Sequence, residues 1–423
     1  MLRYTIPSTH RSRSTMAAHG TVPRYDLLSP EFFANPHPTF QRMRAEDPVY
    51  WDPQLNVYCL TRYDDVQLIT RDPRFSAERV DYYISGAPPA LREKLKRYDE
   101  FISHWMVLAD PPRHTRLRSL VAKGFTTQVV EGLRPLVQRI ANEMIDAVRA
   151  DGRMDIVRDL AYPLPGLVIG KLLRISPEDN RQLKQWSDAI FTLLGAPSPD
   201  EEIIDRGHQG VLGFEAYLRD LVKERRARPG DDVLSRLLLA EEQGSVLSDA
   251  ELVSTCALLI ASGHETTTHL IGNGALALIK NPDQLQKLRE SPEVIDKAVE
   301  EILRFDGVAY QSTRRAREDV EIRGVRIEAG KIAFGFLHAA NRDPARFPEP
   351  DRLDILRKDN RHVAFGGGIH FCLGAQMARV QAQAVLDTIV RRLPDLAVAE
   401  PHLEWIQSFL VRGLRALPVT FSA

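Results

Sequence analysis

Apolar residues recur at three- and four-residue spacing through the middle of the chain, and alternate with polar ones in short stretches nearer its ends. The helical period predicts helices over Thr126–Ala150, Pro177–Leu194, His208–Arg226, Asp231–Gln243 and Asp249–Ile279, with one more from Ala375 to about Arg392. The strand-like stretches are Val49–Trp51 and Val57–Thr61, then Val320–Ile322, Val325–Ile327 and Ile332–Leu337, and finally Leu396–Ala399 and Ala416–Phe421. Helices concentrated in one long block and strands outside it predict a mainly α fold with a smaller β-rich lobe.

Two places break the pattern. The first lies in the most apolar helix, where Leu258-Leu259-Ile260-Ala261 gives way to Ser262-Gly263-His264-Glu265-Thr266-Thr267. Polar side chains inside such a helix are costly unless they hydrogen-bond or do chemistry. Hydroxyls there can bond back to carbonyls and open a turn. His264-Glu265 also invites a zinc-hydrolase reading, but the second histidine would have to stand at Thr268. His269 is five residues on, about 140° around the helix, so an unbroken helix cannot aim both at one metal.

The second break is Phe365-Gly366-Gly367-Gly368-Ile369-His370-Phe371-Cys372-Leu373-Gly374. It places one cysteine between glycines and just ahead of a helix. Amide N–H groups at a helix start favour thiolate, and a thiolate can ligate haem iron. The glycines let the backbone approach a large flat partner. A lone cysteine is otherwise a small core residue. A dinucleotide loop would need glycine at Phe371, and a zinc knuckle needs more sulfur than Cys59 and Cys256 supply at their distances.

The cysteine run resembles the haem-binding loop of the cytochrome P450 family, and the resemblance extends from about Tyr25 to the end of the chain. It implies the cytochrome P450 fold, haem b on Cys372, and a monooxygenase inserting one atom of O2 into a lipophilic substrate. Electrons would come from a ferredoxin or flavodoxin with its reductase. The polar stretch looks like the family's oxygen-activation helix, with Glu265 and Thr266 as the acid–alcohol pair that supplies protons. Ser262 before Gly263 departs from the usual small pair. By resemblance His114, Arg118, Arg314 and His370 contact the haem propionates, with Phe365 and Gly366 in the haem loop. Arg315 and Arg317 could change places with Arg314.

The resemblance further implies a buried Glu301–Arg304–Arg352 network holding the segment before the cysteine loop. It puts substrate near Leu258, Ala261, Ser262 and Thr266, and along the Val80–Val107, Ser187–Phe214, Val308–Thr313 and Gln407–Val411 segments. Tyr82, Tyr83, Tyr310, Gln311 and Gln407 would orient it. Arg113, Arg116 and Lys123 could form a docking face for an acidic electron donor. A peroxide-driven enzyme of this fold would replace the acid–alcohol pair with arginine, and a non-catalytic haem carrier would not need the pair.

Composition narrows the classes. Lys and Arg number 56 against 57 acids in 423 residues, which excludes a strongly basic nucleic-acid binder. Three unpaired cysteines predict no disulfide frame and a cytoplasmic location. No apolar run reaches the roughly 18 residues of a membrane span. Residues 1–24, rich in Arg, Ser and Thr with no acid, are expected to be a disordered leader, and 25–423 one catalytic domain.

Overall fold

Ser248 and Glu251 cap each other at the start of the longest helix: the serine hydroxyl accepts from Glu251 N, and the glutamate accepts from Ser248 N. Nearly every residue that follows is apolar or small, so the helix runs to Lys280 through the middle of the protein, buried on almost all sides. The computed structural model describes residues 24–82, 89–197, 199–240, 244 and 246–422. The expected leader falls almost wholly outside these residues.

The helices that position the site are, in chain order, α1 (Pro89–Ile102), α2 (Arg113–Ala122), α3 (Pro177–Gly195), α4 (Asp249–Lys280), α5 (Ile295–Asp306) and α6 (Ala375–Arg392). The segment read as one helix from Thr126 is two, Thr127–Glu131 and Arg134–Arg149, separated at Gly132. The helix expected to begin at His208 starts at Glu201, because Asp200 caps it through Ile203 N.

The β-rich lobe is built on a five-stranded sheet of β1 (Val49–Asp52), β2 (Val57–Leu60), β3 (Phe75–Ser76), β4 (Gln311–Ala316) and β5 (Ile332–Phe336), in the order β1-β2-β5-β4-β3. Only the β2–β5 pair is parallel, Tyr58 opposite Ala333. β4 pairs with β5 at Thr313 opposite Phe334, a register that sends Arg314 the other way from Thr313. The expected strands Val320–Ile322 and Val325–Ile327 pair with each other as a hairpin, and Pro418–Thr420 joins Arg153–Asp155 and Ala397–Val398.

Most buried apolar residues belong to one cluster centred on α4, α6 and their neighbours, and two smaller clusters lie on the faces of the five-stranded sheet. One buried group fits poorly. Asp99 on α1 is 5% exposed and neither carboxylate oxygen has a hydrogen-bond partner. Burial, with a contribution from Asp81, raises it to about 8. Its folded value lies above its unfolded one, so the stability it permits is present at low pH and is lost as pH rises toward 8. Asp99→Asn is expected to flatten the fall in Tm between about pH 5 and about pH 8, and parallel Tm curves would contradict this.

Candidate active site

Cys372 stands three residues before α6, on a loop folded back so that its own N–H donates to Phe365 O at 3.0 Å. Gly366 (φ 71°) and Gly368 (φ 62°) take left-handed conformations, and a Cβ on Gly368 would strike the Thr70 carbonyl. The Cys372 side chain is deep in the fold, and its exposed surface is the wall of an internal cavity of about 830 Å³. Burial pushes the thiol up, while the Gly374 N–H, Arg118 and Arg379 favour the thiolate. Arg379 stacks on Phe365 at 4.6 Å and pairs with Glu300 at 2.6 Å, which also holds His362 at 3.2 Å. This brace of the loop went unread in the sequence because its members are scattered and individually ordinary.

On the same cavity converge His114, Arg118, Arg314 and His370. The His114 and His370 rings lie 4.2 Å apart, and Arg118 donates to Phe371 O at 2.7 Å. Arg314 is the arginine that enters the cavity; Arg315 pairs instead with Asp81, and Arg317 with Asp110. Arg79, which the sequence reading missed, joins the group. Burial, with Arg79 nearby, pulls Arg314 down to about 9. Among the described residues no carboxylate pairs with Arg79 or Arg314, and both ring nitrogens of buried His114 lack partners. Two cavity arginines without a paired carboxylate, a cavity, a cysteine facing it and Gly366 with open space beside it together fit a haem with two propionates.

Across the cavity stands α4. Leu258, Ser262, Gly263, Thr266 and Thr267 line it. Ser262 donates to Leu258 O at 2.5 Å and Thr266 to Ser262 O at 2.6 Å, yet the helix stays continuous, so the expected open turn is not seen. With their protons committed to the helix, both hydroxyls present lone pairs to the cavity. Glu265, one residue from Thr266, turns about 100° away. It meets His269 Nε2 at 3.2 Å and the side chain of Asp188 on α3. His264 Nε2 meets Tyr162 O at 3.0 Å.

Several expected pocket residues lie elsewhere. Ala261 is 1% exposed on the side of α4 away from the cavity, set there by the helical period. Gln407 is exposed, and its neighbours Phe409 and Leu410 reach the cavity instead. Tyr310 is packed among Phe32, Phe336 and Phe409. Gln311 and Tyr82 do line the cavity, and Tyr83 falls outside the described residues.

The ion network also differs in one member. Arg304 makes two 2.8 Å bonds to Glu301, but the second arginine on Glu301 is Arg357, whose Nε lies 3.1 Å from both oxygens. Arg352 pairs at the surface with Glu349 at 3.3 Å and gives the network only its carbonyl. The loop after Pro350 winds back and brings Arg357 over the glutamate. On α2, Arg113 donates to Ser103 O at 2.9 Å and Arg116 pairs with Glu251, so two of the three expected docking cations serve internal contacts.

The model of the family described as Cytochrome P450 matches residues 87–394. With a cysteine loop and a cation cluster facing a polar helix across one cavity, the chain belongs to the cytochrome P450 family, whose members are haem-thiolate enzymes. It is 40% identical to the vitamin D(3) 25-hydroxylase of Pseudonocardia autotrophica over 94% of this chain and 96% of that one. It is 39% identical to the cytochrome P450 monooxygenase PikC of Streptomyces venezuelae over 96% of each. Among solved structures, the myxobacterial cytochrome P450 CYP267B1 in complex with myristic acid superposes with a TM-score of 0.84 at 42% identity, covering 93% of this chain and 98% of that one. The chain is therefore a haem-dependent monooxygenase that uses O2, a lipophilic substrate and electrons from a redox partner. No helix among the described residues is long and apolar enough to cross a membrane.

Proposed function

We propose that this monooxygenase hydroxylates or epoxidises a medium-to-large lipophilic molecule, with Cys372 as iron ligand and Glu265 and Thr266 as its proton-delivery pair. The observation that carries the reading is the shared cavity: Cys372 lies on one wall, and Thr266 with Ser262 on another. Haem bound here supplies the iron chemistry that activates O2. His114, Arg118, Arg314, His370 and Arg79 hold its propionates, and Phe365 and Gly366 shape the loop beside it. The remaining walls, from Leu95, Met106, Leu193, Leu258 and Phe409, are apolar and exclude water, while Gln311 and Tyr82 offer the orienting hydrogen bonds.

Thr266 holds water in place through its free lone pairs, and Glu265 passes protons to that water from the far side of α4. The electron donor is a ferredoxin or flavodoxin served by its reductase. It docks beside the cysteine loop, where Ile369 and Phe371 are exposed and Lys123 lies on the end of α2. The unpaired cysteines agree with a cytoplasmic location.

Thr266→Ala tests the pair. Electron consumption is expected to continue while product per electron falls about tenfold and hydrogen peroxide rises correspondingly. Product and peroxide are measured against NAD(P)H consumed with a surrogate ferredoxin system. Unchanged coupling would remove Thr266 from the mechanism.

A further inference from the structure

His264, which helical spacing keeps from sharing a metal with His269, meets a carboxylate from another helix instead. Behind the cavity wall α4 packs on α3, and one ligand atom from each of Asp188, His264 and Glu265 lies within 4.8 Å of the others. Three donors so placed can reach one ion at about 2.0–2.2 Å each.

The donors are also set for it. His264 is 1% exposed, and its Nε2 lies 3.0 Å from the Tyr162 carbonyl, an acceptor, so the ring proton sits on Nε2 and the lone pair on Nδ1. That Nδ1 is buried without a hydrogen-bond partner, and so is Asp188 Oδ1. The other Asp188 oxygen, Oδ2, accepts from the Tyr162 hydroxyl at 2.8 Å. Tyr162 therefore orients two of the side chains from behind, its carbonyl fixing the imidazole tautomer and its hydroxyl the carboxylate, as outer partners do in metal sites. His269 Nε2, 3.2 Å from Glu265 Oε2, stands behind the third. Two buried carboxylates this close repel unless a proton or a cation lies between them, and with a neutral imidazole they match the charge of a divalent ion.

We propose that Asp188, His264 and Glu265 form a binding site for a single Zn2+ ion, and that the ion slows turnover by holding the Glu265 carboxylate. The site stands apart from the acid–alcohol reading above; its effect on turnover rests on that reading. Zinc fits because it takes imidazole nitrogen and carboxylate oxygen in one tetrahedral set, with water in the fourth position. On binding, both carboxylates coordinate as anions and any proton they share leaves to solvent. Entry is from the α3 side, where Asp188 and Lys184 are half-buried. Lys184, one turn before Asp188, donates to the Tyr162 carbonyl at 3.2 Å and is a cation that opposes zinc. Burial lowers it to about 6, so at neutral pH the opposition is partial.

The test adds zinc chloride to the haem-loaded, chelator-washed enzyme and to its His264→Gln, Asp188→Asn and Lys184→Gln variants. Equilibrium dialysis, with zinc and iron both counted by elemental analysis, is expected to find one zinc per haem. The zinc-edge X-ray absorption spectrum, which iron does not overlap, should show one imidazole with oxygens at about 2.0–2.2 Å. His264→Gln and Asp188→Asn should each weaken binding by more than the roughly tenfold that follows loss of an outer partner. Lys184→Gln should tighten it, a gain that a misfolded variant would not give. Turnover with a surrogate ferredoxin system should fall along the same zinc curve and recover with EDTA. His264→Gln, compared with its own zinc-free rate in that system, should resist. No bound zinc even at millimolar concentration, or zinc whose affinity none of the variants changes, overturns the site and leaves an adventitious ion only. In that case an uncoupled Thr266→Ala would still uphold the acid–alcohol reading. Variant-dependent binding with unchanged turnover keeps the site, but overturns its effect and with it Glu265 as the acid.

Discussion

Cys372→Ser is expected to abolish monooxygenation and to remove the strongly red-shifted Soret band of the reduced carbon monoxide complex. The substitution changes one atom and leaves the loop intact, since the Cys372 backbone bond to Phe365 O and the glycine conformations at Gly366 and Gly368 do not involve sulfur. What it removes is an anionic, electron-rich ligand. Serine stays protonated under conditions in which the Gly374 N–H, Arg118 and Arg379 assist a thiolate. Because the cation cluster is untouched, the variant is expected to retain some haem while losing the thiolate spectrum. The activity loss should exceed the roughly 10–100-fold seen when only a supporting residue of a metal site is changed. A variant that kept the parent's band would place the ligand elsewhere and undo the assignment of the cavity wall.

The second large effect is on stability, and it separates Arg357 from Arg352. Glu301 and Arg304 are almost wholly buried, at 1% and 0% side-chain exposure, and Arg357 covers them at 10%. Glu301 also accepts from Asp354 N at 2.9 Å, and Arg304 holds the carbonyls of Asn341, Pro350 and Arg352. The pair thus ties the loop that leads to Cys372 onto α5. Arg304→Ala should leave the Asn341, Pro350 and Arg352 carbonyls without this donor and the buried Glu301 charge with Arg357 as its remaining cation, and cost about 3–5 kcal/mol. Arg357→Ala should cost less, because Arg304 still neutralises Glu301, yet clearly more than Arg352→Ala. The Arg352–Glu349 pair is 57% and 71% exposed, and such pairs contribute about 0–1 kcal/mol. Urea denaturation followed by circular dichroism, with haem content in parallel, decides the order. Equal losses from Arg352→Ala and Arg357→Ala would contradict the observed geometry.

That network shows where reading by sequence runs out. Glu301 and Arg304 are three apart on one helix, and helical geometry alone puts them in contact. Their partner comes from an irregular loop, where no period relates spacing to direction. Arg352 and Arg357 are equally good candidates until the loop is folded. The cavity face of α4 divides in the same way. Ser262 and Thr266 are four apart and share a face, whereas Ala261 and Glu265, one position earlier in each case, share the face turned toward α3. The period was legible, but which face looks onto the cavity depends on what packs against the helix.

The sequence by itself determined the cysteine loop proposed to hold the iron, the helical body with its smaller sheet, and the polar stretch of α4. These depend on local features: a cysteine among glycines before a helix start, apolar periodicity, and hydroxyls inside an apolar run. Only the tertiary structure decided that Arg314, rather than Arg315 or Arg317, enters the cavity, since strand alternation sends neighbours to opposite faces and the pairing chooses between them. It likewise brought Arg79 to the cation cluster on the cavity wall and Lys184 and Asp188 to Glu265. Such meetings join residues separated by tens to hundreds of positions, and they exist only after the intervening chain has buried its apolar surface.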